Sequence, residues 1–230
     1  MSEPVMIGER SGLRYFTITV EWAEEIAALE QASYPTADPV DLYDAQGITR
    51  LAEDFPNGCF AGFDNERLVA MGVGVRTNFD LDHPQHKISE IIPDDGSSGH
   101  IPTGQWYYGS GIAVQADYRR RGIGNELYQL RKRVCRDLNL RGLVAGGVIP
   151  GYAAHVDSLT ADEYINEVRA GNLYDPTLSF QLENGFEVLC ALSDYIKDPA
   201  VNNYASMIVW HNPDYEPSRP PGGSEGLNEE

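Results

Sequence analysis

The chain has 230 residues, 42% of them hydrophobic and 23% charged, which is enough apolar material for one ordinary domain with its own core. A formal net charge of −18 argues against a nucleic-acid partner, and no apolar stretch approaches the ~20 residues of a membrane span, so neither nucleic acid nor membrane is an expected partner. MSEPVMIGER shows no basic-then-apolar leader pattern, and the widely spaced Cys59, Cys135 and Cys190 read as thiols of a reducing compartment, so a cytoplasmic location is the expectation.

Residues 1–11 read as an N-terminal tail. LRYFTITV (13–20) alternates and is β-branched, as a strand does. EWAEEIAALEQA (21–32) puts Trp22, Ile26 and Leu29 on one helix face, and Pro35 and Pro39 end that helix. DAQGITRLAEDF (44–55) reads as a second, weaker helix. CFAGFD (59–64) and RLVAMGVGVRT (67–77) flank a turn and read as an antiparallel hairpin. Residues 80–105 are polar, carry Pro84, Pro93 and Pro102, and read as a long surface loop of a kind that often carries function. His83 and His86 lie in it at i, i+3, but no Cys or second His pair accompanies them, so they read as loop histidines and no metal is expected.

WYYGSGIAV (106–114) is the strongest central strand. After a break comes a helix over 124–140, with Leu127, Leu130, Val134 and Leu138 on one face. RGLVAGGV (141–148) is apolar without alternation, the pattern of a strand buried on both faces. Thr160 and Glu163 frame a capping box, and Gly171 suits the end of the helix that follows. A short helix with Pro176 in its first turn fits 175–184, and FEVLCALSDY (186–195) and YASMIVWH (204–211) close as strands. The folded domain is therefore expected over 12–212, and 213–230 has the composition of a disordered tail.

Positive charge is concentrated in 119–141, which holds Arg119, Arg120, Arg121, Arg131, Lys132, Arg133, Arg136 and Arg141 against only Glu126 and Asp137. A bound anion and a solvated helix face paired with acids elsewhere both fit that pattern. YRRRGIGNEL (118–127) favours the first. The leading amides of a helix lack intrahelical partners, the helix dipole favours negative charge there, and glycines let phosphate oxygens approach. Neither G-x-x-x-x-G-K-[ST] nor G-x-G-x-x-G is present, which removes the common nucleoside-triphosphate and dinucleotide motifs.

The segment resembles the acetyl-CoA motif of the GNAT superfamily of N-acetyltransferases. Ile112-Ala113-Val114 ends a strand, and Arg119-Arg120-Arg121-Gly122-Ile123-Gly124 fills the Gln/Arg-x-x-Gly-x-Gly/Ala pattern. The order of elements fits from about 12 to 211. GGVIPGY (146–152), YDPTLSFQLENGF (174–186) and YASMIVW (204–210) look like the acetyltransferase-like domain found fused ahead of a carbon–nitrogen hydrolase (nitrilase-type) domain, here expected as a free-standing version. The resemblance implies an α+β (mixed α/β) fold with a mostly antiparallel sheet of about six or seven strands, splayed at the middle and flanked by helices.

It implies acetyl-CoA as co-substrate, held by Ile112, Ala113, Val114, Arg119, Arg120, Arg121, Gly122, Ile123, Gly124 and Asn125. The Val114 N–H would polarise the thioester carbonyl while a small amine attacks directly. The family's usual strand glutamate is absent, and Tyr108 stands about where it would be. Its usual thiolate-protonating tyrosine is replaced by Gln181, between Phe180 and the Gly185-Phe186 pair. Tyr152 and Tyr174 are then candidate acids and His155 a further candidate base. The readings left open are an N-acetyltransferase acting on a small amine, and a non-catalytic acyl-CoA-binding module or partner of an amidohydrolase. A homodimer is an assembly the superfamily often forms.

Overall fold

The computed structural model describes residues 3–93 and 95–222. The strands are β1 (Met6–Ile7), β2 (Arg14–Thr17), β3 (Phe60–Asp64), β4 (Arg67–Thr77), β5 (Trp106–Val114), β6 (Gly142–Val148), β7 (Glu187–Leu192) and β8 (Ala205–His211). The helices are α1 (Ala23–Ser33), α2 (Ala45–Asp54), α3 (Ile88–Ile91), α4 (Ile123–Asp137), α5 (Ala161–Arg169) and α6 (Leu178–Glu183). The strands form one mixed sheet in the order β1-β2-β3-β4-β5-β6-β8-β7, antiparallel throughout except between β5 and β6.

Side-chain alternation along the strands builds a core on each face. Trp106 and Tyr108 of β5 join Met71, Val73 and Val75 of β4 beneath Ile26 and Leu29 of α1 and Leu51 of α2. Tyr107 points the other way, toward Leu127, Leu130 and Val134 of α4 and Ile165 of α5. The apolar stripe of α4 thus dictates which face of the sheet it covers.

The sheet opens at its middle. β5 and β6 pair only over Trp106–Tyr108 with Gly142–Val144, and β6 then follows β8 along its full length. Side chains from other elements occupy the gap: Gln181 of α6 packs on Gly147, and the Tyr195 ring on Gly146. β5 also carries a bulge where its pairing with β4 shifts register between Val73 and Gly74.

Three expectations need correction. The sheet has eight strands, because the segment read as an N-terminal tail contributes β1, with Met6 and Ile7 opposite Tyr15 and Arg14. The buried carboxylate of Glu126 holds that segment, accepting hydrogen bonds from the Arg10 and Ser11 amides, the Ser11 hydroxyl and the Tyr15 hydroxyl. Within the segment read as a disordered tail, 213–222 lies against the end of α4. Asn139 accepts from the Glu216 amide and donates to the Glu216 and Arg219 carbonyls, and the Gly222 amide bonds the Leu138 carbonyl. The part of that expectation covering 223–230 lies outside the described residues. Finally, the 80–105 segment is not all surface: it forms α3 and buries His86 and Ile88.

Candidate active site

The α4 N-terminus has the geometry of an anion cradle. Gly122 takes φ +85° as the N-cap, a conformation that favours glycine, and Arg120 takes φ +63°. The first helical bond runs from the Glu126 amide to the Gly122 carbonyl, so the amides of Ile123, Gly124 and Asn125 have no intrahelical acceptor. These residues line an outer groove of about 720 Å³ together with Ile112, Ala113, Val114, Arg119, Arg120 and Arg10. Arg121 does not line it: its guanidinium bonds the Asp117 carbonyl at 2.8 Å and lies over the Tyr118 ring. Arg10 was not foreseen. The Glu126 knot brings it beside Gly122, where an added Cβ would stand 3.1 Å from the Arg10 Cβ. Burial raises the Glu126 pKa, but the bonds from Ser11, Tyr15 and the two amides outweigh it and hold the carboxyl below its ordinary value.

The free edge of β5 faces this groove. The Tyr34 hydroxyl donates to the Ile112 carbonyl at 2.7 Å, and Arg119 Nε donates to the Val114 carbonyl at 3.2 Å. Both carbonyls therefore point into the gap, and the amides of the same two residues open to the same side.

An inner chamber of about 120 Å³ continues from the groove through the gap, and Tyr34, Ile112, Tyr128, Val148, Thr177 and Gln181 line both. Glu30 of α1 lines the chamber and is 3% exposed. Its Oε2 accepts the Tyr43 amide at 2.8 Å, and Oε1 lies 2.5 Å from where a Cβ on Gly111 would stand. Burial, opposed by the Tyr43 amide, raises its pKa to about 7. From the other face come Tyr128 and Arg131 of α4. Arg131 is 1% exposed, and its Nη2 donates to the Val73 and Gly111 carbonyls at the β4–β5 bulge. Gln181, 4% exposed, leaves its Oε1 buried without a hydrogen bond. The Tyr128 ring stacks on Phe180 at 5.5 Å; burial pushes its phenol pKa up, against the Arg131 charge and the Gln181 contact.

The tyrosines singled out from the sequence fall in three places. Tyr108 is buried, with its hydroxyl between His86 Nε2 at 2.6 Å and the Tyr195 hydroxyl at 3.0 Å; of these, Tyr195 lines the chamber. Tyr152 lines neither cavity. Its hydroxyl bonds the Leu159 carbonyl and its ring packs against Tyr164 and Tyr204, so the expectation that it reaches the reacting sulfur is corrected. Tyr174 is 73% exposed on the rim of the outer groove. His155 packs against Tyr164, and His83 pairs with Asp80. Glu30 was missed although a signal existed: Ala23, Ile26, Ala27 and Glu30 fall at i, i+3, i+4 and i+7, which puts a carboxylate on an apolar helix face.

The basic window divides between both of its readings. Arg119 and Arg120 face the groove, whereas Lys132 donates to the Asn184 carbonyl, Arg133 to Val5, and Arg136 pairs with Asp214 at 3.0 Å. Among the described residues no cluster of three His, Cys, Asp or Glu side chains could hold a metal, and no helix is long and apolar enough to cross a membrane.

The chain is similar to several known proteins. A curated relative, "Probable hydrolase YhcX" of Bacillus subtilis (strain 168), is 32% identical over 85% of this chain, and the chain spans only 38% of that protein's length. "Uncharacterized N-acetyltransferase YkwB" of the same organism is 27% identical over 84% of this chain and 86% of its own. Among solved structures, the GphF GNAT-like decarboxylase in complex with isobutyryl-CoA superposes with a TM-score of 0.72, at 18% identity, over 86% of this chain and 99% of its own, a likeness of fold. The family described as "Acetyltransferase (GNAT) family" matches residues 21–155. The chain, with its splayed sheet and the cradle at the head of α4, belongs to the GNAT acetyltransferase family.

Proposed function

We propose that the protein transfers an acetyl group from acetyl-CoA to a small amine by direct attack on the thioester. One observation carries the reading: the outer groove and the inner chamber meet at the β5–β6 gap, with the buried Glu30 carboxyl on one side and the Tyr128 phenol on the other. The groove residues fit the coenzyme. Free amides at Ile123, Gly124 and Asn125, with Arg119, Arg120 and Arg10 beside them, suit a diphosphate. The open amides of Ile112 and Val114 suit a pantetheine arm, and Val114 N–H is the donor for the thioester oxygen. When bound, acetyl-CoA supplies an activated acyl group.

The chain's own part is proton handling and placement. Glu30, poised near neutrality, takes a proton from the ammonium of the acceptor, because an alkyl ammonium is otherwise no nucleophile at pH 7. Tyr128 Oη holds a proton where the leaving sulfur needs one. Holding both reactants across the gap supplies much of the rate. The reading gains support from the family match and the printed name of YkwB; the non-catalytic alternative has no observation in its favour. An amidohydrolase partner rests on the sequence resemblance to a domain fused to nitrilase-type hydrolases, beside a partial match to a protein named only as a probable hydrolase, and a homodimer on the habit of the superfamily.

The test is release of free thiol by the purified full chain with acetyl-CoA and a panel of n-propylamine, benzylamine and 1,4-diaminobutane. Release that depends on one amine supports transfer. Binding of CoA without turnover across a widened panel removes it.

A further inference from the structure

Three buried side chains beside the chamber have no part in the proton handling above. His86 Nδ1 lies 2.6 Å from the Pro84 carbonyl, which can only accept, so Nδ1 carries the proton. Burial lowers the His86 pKa, against the Pro84 bond and the charge of Glu90 on α3, which favours the neutral ring. Nε2 is therefore a bare acceptor, 2.6 Å from the Tyr108 hydroxyl, and takes that hydroxyl's single proton. Tyr108 and Tyr195 stand 3.0 Å apart, and with the Tyr108 proton engaged, Tyr195 must be the donor of that pair. The His86 ring meets both tyrosine rings edge-on at 5.5 Å. The Gly146 amide also faces the two phenol oxygens, and a phenol oxygen has two lone pairs.

We infer that His86, acting through Tyr108, fixes Tyr195 as a hydrogen-bond acceptor toward the inner chamber, so that Tyr195 and Glu30 together select the N–H bonds of a protonated primary amine. The Tyr195 proton points along the chain and away from the chamber that the residue lines. Glu30 and Asp41 are the ionisable carboxyls of the chamber wall, and both are acceptors when charged. His86 and Tyr108 touch neither cavity and are positioning residues. The inference rests on the transferase reading for its ligand, and it adds which end of the amine is read and by what.

The order of donors is checked directly by long-range nitrogen–proton NMR on the full chain labelled at histidine. At pH 7.5 the His86 ring is expected as the Nδ1–H tautomer with an unprotonated Nε2; an Nε2–H tautomer overturns the inference whether or not the protein turns over. The consequence is checked on CoA-loaded protein by calorimetry with n-propylamine and by steady-state kinetics. Tyr195→Phe and Tyr108→Phe are each expected to weaken amine affinity and raise its KM about tenfold, the scale of one hydrogen bond to a charged group, with kcat and CoA affinity little changed. The double variant is expected to lose no more than Tyr195→Phe alone, because both act through one contact. Unchanged n-propylamine affinity, or losses that add, overturn the proposal. Absence of thiol release by the wild type defeats the transferase reading alone, since the tautomer and the binding cycle remain measurable.

Discussion

Gln181 directs its side-chain nitrogen at the Tyr128 hydroxyl, 3.4 Å away. The glutamine stands where the family resemblance calls for a phenol, and a phenol is present beside it, delivered by α4 instead of α6. The amide donates to the Tyr128 oxygen, so the Tyr128 proton is free to face the groove. Tyr128→Phe is accordingly expected to lower kcat about a hundredfold while CoA affinity stays within about twofold. Stopped assays of thiol release and a CoA titration separate the two quantities; an unchanged kcat removes Tyr128 from the chemistry.

Restoring the family tyrosine directly should fail. Gln181 is buried against Gly147, with its nitrogen 2.3 Å from where a Cβ on that glycine would stand. Gln181→Tyr overfills this space and is expected to cost about 1–3 kcal/mol of stability without raising turnover. Urea unfolding and the thiol assay test it together, and a variant that is both stable and faster contradicts the packing described for α6.

Gly122→Glu meets two obstacles. The residue needs φ +85°, which costs a side chain about 1–2 kcal/mol, and the new carboxylate would face the amides of α4. Loss of measurable CoA binding in a folded variant is the expected calorimetric result. Retained affinity would mean the diphosphate lies elsewhere.

Glu30 links the chamber to stability. Its folded pKa, about 7, lies above the ordinary carboxyl value of 4.5, so the folded state binds the proton more tightly. That contribution is present in full below pH 4.5 and is lost as pH rises through 7, where a buried charge must form. Glu30→Gln is therefore expected to stabilise the fold by up to about 3 kcal/mol at pH 8 and hardly at all at pH 4.5. Denaturation midpoints at the two pH values check the sign, and an equal effect at both would show that the carboxyl is not held protonated. The same variant should lose amine acetylation.

Alternation made β2 legible, a turn between two apolar runs marked β3 and β4, and the glycines after the arginines marked the cradle, because backbone demands leave direct traces in composition. β1 left none. Two residues cannot declare a strand, and the turn that returns them to β2 is tied down at Arg10 and Ser11 by the Glu126 carboxylate, more than a hundred positions away. The 213–222 strap is equally silent, since its polar composition resembles a free tail while Asn139 supplies the anchoring bonds. Tyr152 shows the limit of reasoning from position along the chain: its neighbourhood was readable, but the direction of its ring toward Tyr164 and Tyr204 was not. Glu30 was readable in principle, as an acid in the apolar phase of α1, and Arg131 as a base in that of α4.

The three-pair junction between β5 and β6 has a mechanical consequence. It works as a seam between two jaws, β1 to β5 on one side and β6, β8 and β7 on the other, with α4 packed across both. Beyond the seam, among the described residues, no ladder of backbone bonds sets the aperture. Its width is governed by what projects onto Gly146 and Gly147, namely Tyr195 and Gln181. Exchanging one of those two side chains therefore changes the aperture, while the pairing inside each jaw stays intact.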